Sequence, residues 1–240
     1  MQYTRRHLLS STALVGLAAL PLAGQCQAPA SCTPPSLGAL SQRMGKAWLC
    51  TADIGLAAAA RQVLEASQQS FQHQLVQLHR TADSPEQAGS LRALARRYED
   101  YQALLASAPG AAAQRALLGT ANEMLTLAQL ATGSRANLPW QARLAARQRL
   151  LSQRIALLGL ADAAATRRER QSAIYEFEAG QQMLRQAGDA ALRHHLQAAD
   201  AAWAPLRDAA GAGQAGPVFT ASERLLAVMD ALTERCTRIT

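Results

Sequence analysis

Apolar residues along this chain recur at intervals of three, four and seven. Leu144, Leu151, Ile155 and Leu158 form one such run, a single stripe on an amphipathic helix. No segment alternates β-branched and polar residues with a period of two. The periodic stretches are interrupted at Ser84-Pro85, Ala108-Pro109-Gly110, Gly133 to Pro139, Gly188-Asp189 and Gly211 to Pro217, and more weakly at Thr51 to Gly55 and Asp162 to Thr166. Eight helices in two groups of four are predicted, with Gly133 to Pro139 as the seam.

The two groups repeat one another. Leu40-Ser41-Gln42-Arg43-Met44 aligns with Leu151-Ser152-Gln153-Arg154-Ile155 at an offset of 111. Tyr98 to Leu104 parallels Asp200 to Leu206, which matches Tyr101 with Trp203. Thr120 to Leu125 parallels Thr220 to Leu225, and Thr120/Glu123 and Thr220/Glu223 have the spacing of a helix-start capping box. A repeat of about 100 residues is too long for a solenoid unit and suits a small four-helix bundle. The expected fold is all-α: two tandem antiparallel four-helix bundles related by internal duplication, over residues 31–136 and 137–240, forming a pseudo-dimer.

Composition agrees. Ala, Leu, Gln and Arg dominate, and they lose little side-chain entropy in a helix; aromatics are 4% of the 240 residues. Residues 1–30 read as an export signal, with Arg5-Arg6, an apolar run from Leu8 to Leu22, and a small-x-small site at Ala28-Pro29-Ala30. Thr4 to Leu9 also resembles a twin-arginine signal. The run is too short and too broken by Gly and Pro to favour a membrane span. The expectation is a periplasmic protein that does not span the membrane after signal removal. The formal charge of +7 falls to about +5 without Arg5 and Arg6. No basic run is interleaved with aromatics, so nucleic acid is not an expected partner. A small anion is.

Cleavage after Ala30 leaves Cys32, Cys50 and Cys236 in an oxidising compartment, where one disulfide is expected. An even-numbered antiparallel bundle begins and ends at the same end. That brings Cys32 toward Cys236 and leaves Cys50 as a buried thiol inside the first helix, although spacing alone leaves the pairing open. No CxxC, paired-His, phosphate-loop or Ser/His/Asp pattern supports a metal, a cofactor or catalysis. Glu99, Asp100, Glu176 and Glu178 read as a solvated face. Tyr98, Tyr101, Phe177 and Trp203 read as core.

Arg147 to Ile155, RQRLLSQRI, resembles the signature helix of the PilJ-type sensor domain of type IV pilus chemotaxis transducers, and a related helix of NarX-type nitrate/nitrite sensor kinases. The Ala-Pro-Leu after Trp203 and the TASERLL from Thr220 are similar to later parts of that domain. The resemblance covers residues 36–240 as two copies. It implies four-helix bundles outside the cytoplasmic membrane and an oxyanion site, in which one arginine from each of two subunits meets nitrate across a two-fold axis. By motif position that arginine is Arg149. A planar guanidinium presents paired donors to a planar oxyanion.

At 100° per residue Arg149 lies about 140° from Leu144, off the bundle core and beside the small residues Ala145, Ser152 and Ala156. Ser41 and Gly45 occupy that face in the first copy. A tandem pair is thus expected to imitate the family's dimer. The first copy departs at the key position, where Gly38 stands opposite Arg149. The expected ligand-facing set is Arg149, Ser152, Arg154, Arg43 and Ser41. For Arg43 and Arg154 the plainer reading is a salt bridge or a solvated head over an apolar stem. Two functions follow, both non-enzymatic: binding or sensing of a small oxyanion such as nitrate or nitrite, signalling through a membrane-bound partner; or an adaptor that binds another exported protein through its helical faces, its anion site vestigial.

Overall fold

The computed structural model describes residues 36–132, 138–187 and 190–238. Residues 1–35, residues 133–137 of the seam and residues 188–189 lie outside the described residues, so the expected signal segment, its expected cleavage site and Cys32 do too. The described chain is α1 (Leu37–Cys50), α2 (Ala57–Arg80), α3 (Pro85–Leu105), α4 (Ala111–Thr132), α5 (Trp140–Leu160), α6 (Ala163–Gln186), α7 (Ala190–Ala212) and α8 (Ala215–Arg238), with no strand among the described residues.

Local signals set several boundaries. Ser36 caps α1 by accepting from the Ala39 N–H at 3.2 Å, and Ser84 caps α3 by accepting from Gln87 N–H at 3.1 Å, with Pro85 at the first helical position. The Asp162 carboxylate accepts from Ala164 N–H at 3.0 Å and opens α6. Gly213, at φ 67°, supplies the left-handed residue that turns α7 into α8. The break sensed from Gly211 to Pro217 is narrower than expected, because α8 already runs from Ala215 and Pro217 sits in its first turn, where no intrahelical N–H is needed. Thr120 and Thr220 cap nothing. Both lie inside helices, and Thr120 Oγ1 donates to the Ala116 carbonyl at 3.0 Å.

Each group of four closes into a ring. α1 packs on α2 and α4, and α3 on both of those; α5, α6, α7 and α8 pack in the corresponding order. Gln42 reaches Ala121 and Gly45 approaches Leu117, so α1 and α4 are antiparallel. Gln153 with Ser222 and Arg149 with Asp230 give α5 and α8 the same relation. Each ring has its own apolar core. Met44, Phe71, Leu91, Tyr101, Leu117 and Met124 are central to the first, and Ile155, Phe177, Leu192, Leu206, Leu225 and Met229 to the second. The aromatic residues expected in the core are there: Tyr101 and Phe177 are fully buried, and Tyr98 and Trp203 nearly so.

Two stacked pairs fix the register of the repeat. Phe71 on α2 stacks on Tyr98 of α3 with centroids 4.3 Å apart and planes at 23°, and Phe177 on α6 stacks on Trp203 of α7 at 4.3 Å and 27°. Trp203 therefore corresponds to Tyr98, not to Tyr101 as the sequence alignment had it. The phenol of Tyr101 is committed elsewhere, donating to the Ser41 carbonyl at 2.9 Å.

The described residues form one compact unit. The joint between the halves is α1 against α5, with α8 also touching α1. A Cβ on Gly38 would meet Leu150, and one on Gly45 would meet Leu157, so the two helices run parallel, related by a pseudo-two-fold along their length. The small-residue face read from the sequence is not this joint. α1 meets Leu150 and Leu157 of α5, whereas Ala145 and Ala156 pack in the second half's own core, Arg149 meets Asp230 of α8, and Ser152 and Ser41 are buried on their own helices. Among the described residues there is no disulfide, and Cys50 and Cys236 are each buried.

Candidate functional site

The repeated Ser-Gln-Arg has three separate jobs. The serine turns inward on its own helix: Ser41 Oγ donates to the Gly38 carbonyl at 2.9 Å, and Ser152 Oγ to the Arg149 carbonyl at 2.8 Å. The glutamine ties the first helix of each half to the last helix of the same half. Gln42 Nε2 donates to Ala121 O and Gln153 Nε2 to Ser222 O, both at 3.1 Å. The arginine crosses to the other half. Arg43 of α1 grips Glu223 of α8 with both arms of its guanidinium, at 3.1 and 2.5 Å. Arg154 of α5 donates to Asn122 Oδ1 of α4 at 2.8 Å and to Glu169 of α6 at 3.0 Å. Ala121 and Ser222 are thus equivalent, as are Asn122 and Glu223. The register of α4 on α8 is one residue away from the Thr120/Thr220 match.

The joint is unequal on its two sides. Lys46, fully buried on α1, donates to Gln153 Oε1 at 2.8 Å, Ser222 Oγ at 2.9 Å and Glu223 Oε1 at 2.5 Å. Its ammonium lies 5.4 Å from the Phe219 ring centroid. Its counterpart in the second half is Leu157, which packs into the first half's core. Arg149, 1% exposed, pairs through Nη1 with Asp230 Oδ1 of α8 at 2.9 Å. In the first half Gly38 replaces Arg149 and Gln129 stands at the position of Asp230. Three cations and two carboxylates therefore gather where α1, α5 and α8 meet, and the equivalent place across the pseudo-two-fold carries Gly38, Leu157, Asn122, Gln129 and Arg154.

Electrostatics follow from that crowding. Burial pulls the Lys46 ammonium below the usual lysine range, with Glu223 opposing it. Burial pushes the Glu223 carboxyl up, but the charges of Lys46 and Arg43 outweigh it and hold the group at about 2. Asp230 has the opposite balance. Burial raises its carboxyl above the ordinary range, and Arg149 offsets only part of that. Burial likewise lowers Arg154, against the pull of Glu169.

Of the five residues expected to face a ligand, the structure brings Arg149 and Arg43 toward one charge cluster at the joint. Arg154 lies on the equivalent side across the pseudo-two-fold, and the two serine hydroxyls are turned onto their own helices. Arg149 is sealed and Arg43 is engaged by Glu223; Arg154 lines an open groove of about 350 Å³ between α4, α5 and α6, with its guanidinium committed to Asn122 and Glu169. The sequence reading missed Lys46, Glu223 and Asp230. The visible signal for Lys46 was a charge inside an otherwise apolar or small run, LGALSQRMGKAWL. In the sequence Glu223 is only the acidic partner of Thr220 in a capping-box spacing, and Asp230 belongs to no motif. Glu176 and Glu178, read as part of a solvated face, are partly exposed and paired with Arg147 and Arg207.

Among the described residues no helix is long and apolar enough to cross a membrane, and no cluster of His, Cys, Asp and Glu is arranged to hold a metal ion. No family model matches the chain, and neither a curated protein nor a solved structure does.

Proposed function

We propose that this chain is a non-enzymatic exported binding protein: two PilJ-type four-helix units joined in one chain, working as an adaptor through outer helical faces while its oxyanion site is filled by its own carboxylates. The observation that carries the reading is the Arg149–Asp230 pair. A guanidinium that is 1% exposed and already 2.9 Å from a carboxylate oxygen has an internal anion where nitrate would have to go. Export rests on Arg5-Arg6 and the apolar run to Leu22, and the family reading on the RQRLLSQRI helix. Calorimetric titration of nitrate and of nitrite into the folded protein should give no saturable heat, in the wild type and in Arg149→Ala alike. Saturable binding by the wild type, lost in Arg149→Ala, would overturn the proposal.

One observation favours the oxyanion-sensor reading as the second. Asp230 is 35% exposed and its carboxyl is raised toward the neutral form, so acid weakens its hold on Arg149. In that reading Asp230 is a gate. Nitrate uptake by Asp230→Asn at neutral pH, or by the wild type only in acid, supports it, and silence from both leaves the adaptor reading standing.

A further inference from the structure

The second half carries a groove whose counterpart in the first half has none of the same chemistry. It lies between α6 and α7 and encloses about 440 Å³. Trp203 forms part of its floor, backed by the Phe177 ring and with its indole N–H donating to Glu178 Oε1 at 3.3 Å. Tyr175, 65% exposed, stands on the rim. Arg185 pairs with Asp200 at one end at 2.7 Å, and Arg207 sits 3.7 Å from Glu178 at the other. Gln181 also lines the groove. It is 2% exposed, and neither its amide nitrogen nor its amide oxygen has a partner among the described residues.

The internal repeat removes the packing explanation. By the register of the two stacked pairs, Gln181 stands where the first half has Leu75, a buried core leucine. In the same register Tyr175, Glu178 and Arg185 replace Gln69, Gln72 and His79, and Asp200 and Arg207 replace Ala95 and Gln102. Both charge signs, an exposed ring and a buried primary amide have entered one groove together, where leucine suffices for the fold.

The geometry points to this groove as a binding site for a small zwitterion with an apolar or aromatic side chain, an amino acid in chemical class. Two cations and two carboxylates line it, so the site as a whole is neutral and offers both signs at once. A lone anion would meet Glu178 and Asp200, and a lone cation would meet Arg185 and Arg207. A zwitterion satisfies both sets. Both polar atoms of the Gln181 amide lie unpartnered beneath the groove surface, and a primary amide is both donor and acceptor, so on turning toward the groove it matches a carboxylate and an ammonium held on one carbon. The apolar side chain then lies against Tyr175 and the edge of Trp203. The Trp203 face is covered by Phe177, which leaves Tyr175 as the accessible ring.

Calorimetric titration of L-phenylalanine into the full chain tests this, beside 3-phenylpropionate, phenethylamine and glycine, which lack the ammonium, the carboxylate and the ring in turn. Saturable binding is expected for L-phenylalanine, at least ten-fold weaker for each analogue. Gln181→Leu should keep or raise the melting temperature, as Leu75 implies, and weaken binding at least ten-fold. Tyr175→Ala, at an exposed position, should weaken it without altering the fold. No binding of L-phenylalanine at millimolar concentration overturns the proposal. So does binding of either single-charge analogue as tightly as L-phenylalanine, or undiminished binding by Gln181→Leu. The nitrate titration of Arg149→Ala reports on the joint and is independent of all three results.

Discussion

Lys46 and Glu223, 177 residues apart, hold the two halves together through a 2.5 Å contact at a place where the equivalent pair across the pseudo-two-fold is Leu157 and Asn122. The joint thus carries a buried charge pair on one side only. Removing both charges at once and removing either alone should have very different effects. Glu223→Ala strands a buried ammonium, and its expected cost is about 3–5 kcal/mol. Lys46→Leu with Glu223→Asn copies the residues already found at Leu157 and Asn122. The double variant should lie within about 1–2 kcal/mol of the wild type, on either side. Urea unfolding of the two single variants and the double decides it; a double variant as unstable as Glu223→Ala would mean that the pair is worth more than its apolar replacement.

The helices and the repeat were readable because they depend on short-range pattern. The stripe through Leu144, Leu151, Ile155 and Leu158, the Ser84-Pro85 start and the shared Ser-Gln-Arg all act within a few residues. The small face through Ala145, Ser152 and Ala156 suggested a surface for a second bundle, but Ala145 and Ala156 pack in their own half's core, and α1 meets Leu150 and Leu157 instead. What could not be read was register and partnership. Ala/Leu-rich helices align almost equally well in neighbouring registers, so Thr120 was matched to Thr220. Only the two hydrogen bonds from Gln42 and Gln153 fix Ala121 against Ser222. Glu223 sits on a helix whose polar residues look solvated until the other half covers it, and nothing within α8 announces that α1 will do so; Asp230 is met by Arg149 of its own half.

Gly38 gives a direct test of that packing. By motif position Gly38 stands where the resemblance places the second ligand arginine. The structure leaves it no room: a Cβ at Gly38 would fall 2.8 Å from Leu125 Cδ1 and 3.1 Å from Leu150 Cδ1. Gly38→Arg must displace two leucines and place a cation beside them. A loss of about 3 kcal/mol or more is expected, from overpacking together with a buried charge that has no carboxylate to meet. Gly38→Ala should cost less, about 1–2 kcal/mol. Chemical denaturation measures both. A Gly38→Arg protein as stable as the wild type would show that the joint opens far more easily than its packing implies.

Cys50 sits one turn beyond Lys46 and is buried in a small cluster with Ala60 and Phe219. Burial pushes its thiol up to about 11, with Lys46 pulling weakly the other way. Little thiolate exists near pH 8, and the sulfur is covered, so alkylation should proceed through opening of the fold. Iodoacetamide at pH 8 should label Cys50 orders of magnitude more slowly than it does in urea, as followed by peptide mass spectrometry. Rapid native labelling would place the α1–α2 end of the first half in frequent local opening. Variants that weaken the joint, Glu223→Ala among them, should speed it.

Acid should weaken the molecule through Glu223 over a definite window. Its carboxyl is held at about 2 in the folded chain, against roughly 4.3 for a free glutamate. A depressed carboxylate contributes stability that is complete above its unfolded value and is lost as pH falls through the folded one. Glu223 therefore stabilises fully above about pH 4.5 and loses that contribution between there and about pH 2. The shift corresponds to roughly 3 kcal/mol, an order of magnitude for a group coupled to two cations. Asp230 works in the opposite sense. Its carboxyl is raised, so the fold favours its neutral form and gains stability as pH falls through its folded value, partly masking Glu223 in the wild type. The measurement is the denaturation midpoint against pH for wild type, Glu223→Gln and Asp230→Asn. Wild type should lose stability from pH 4.5 downward. Glu223→Gln should start lower and show a flatter decline, and Asp230→Asn should show a steeper one. Parallel curves for wild type and Glu223→Gln would mean that the Arg43–Glu223–Lys46 cluster is not what holds the halves together in acid.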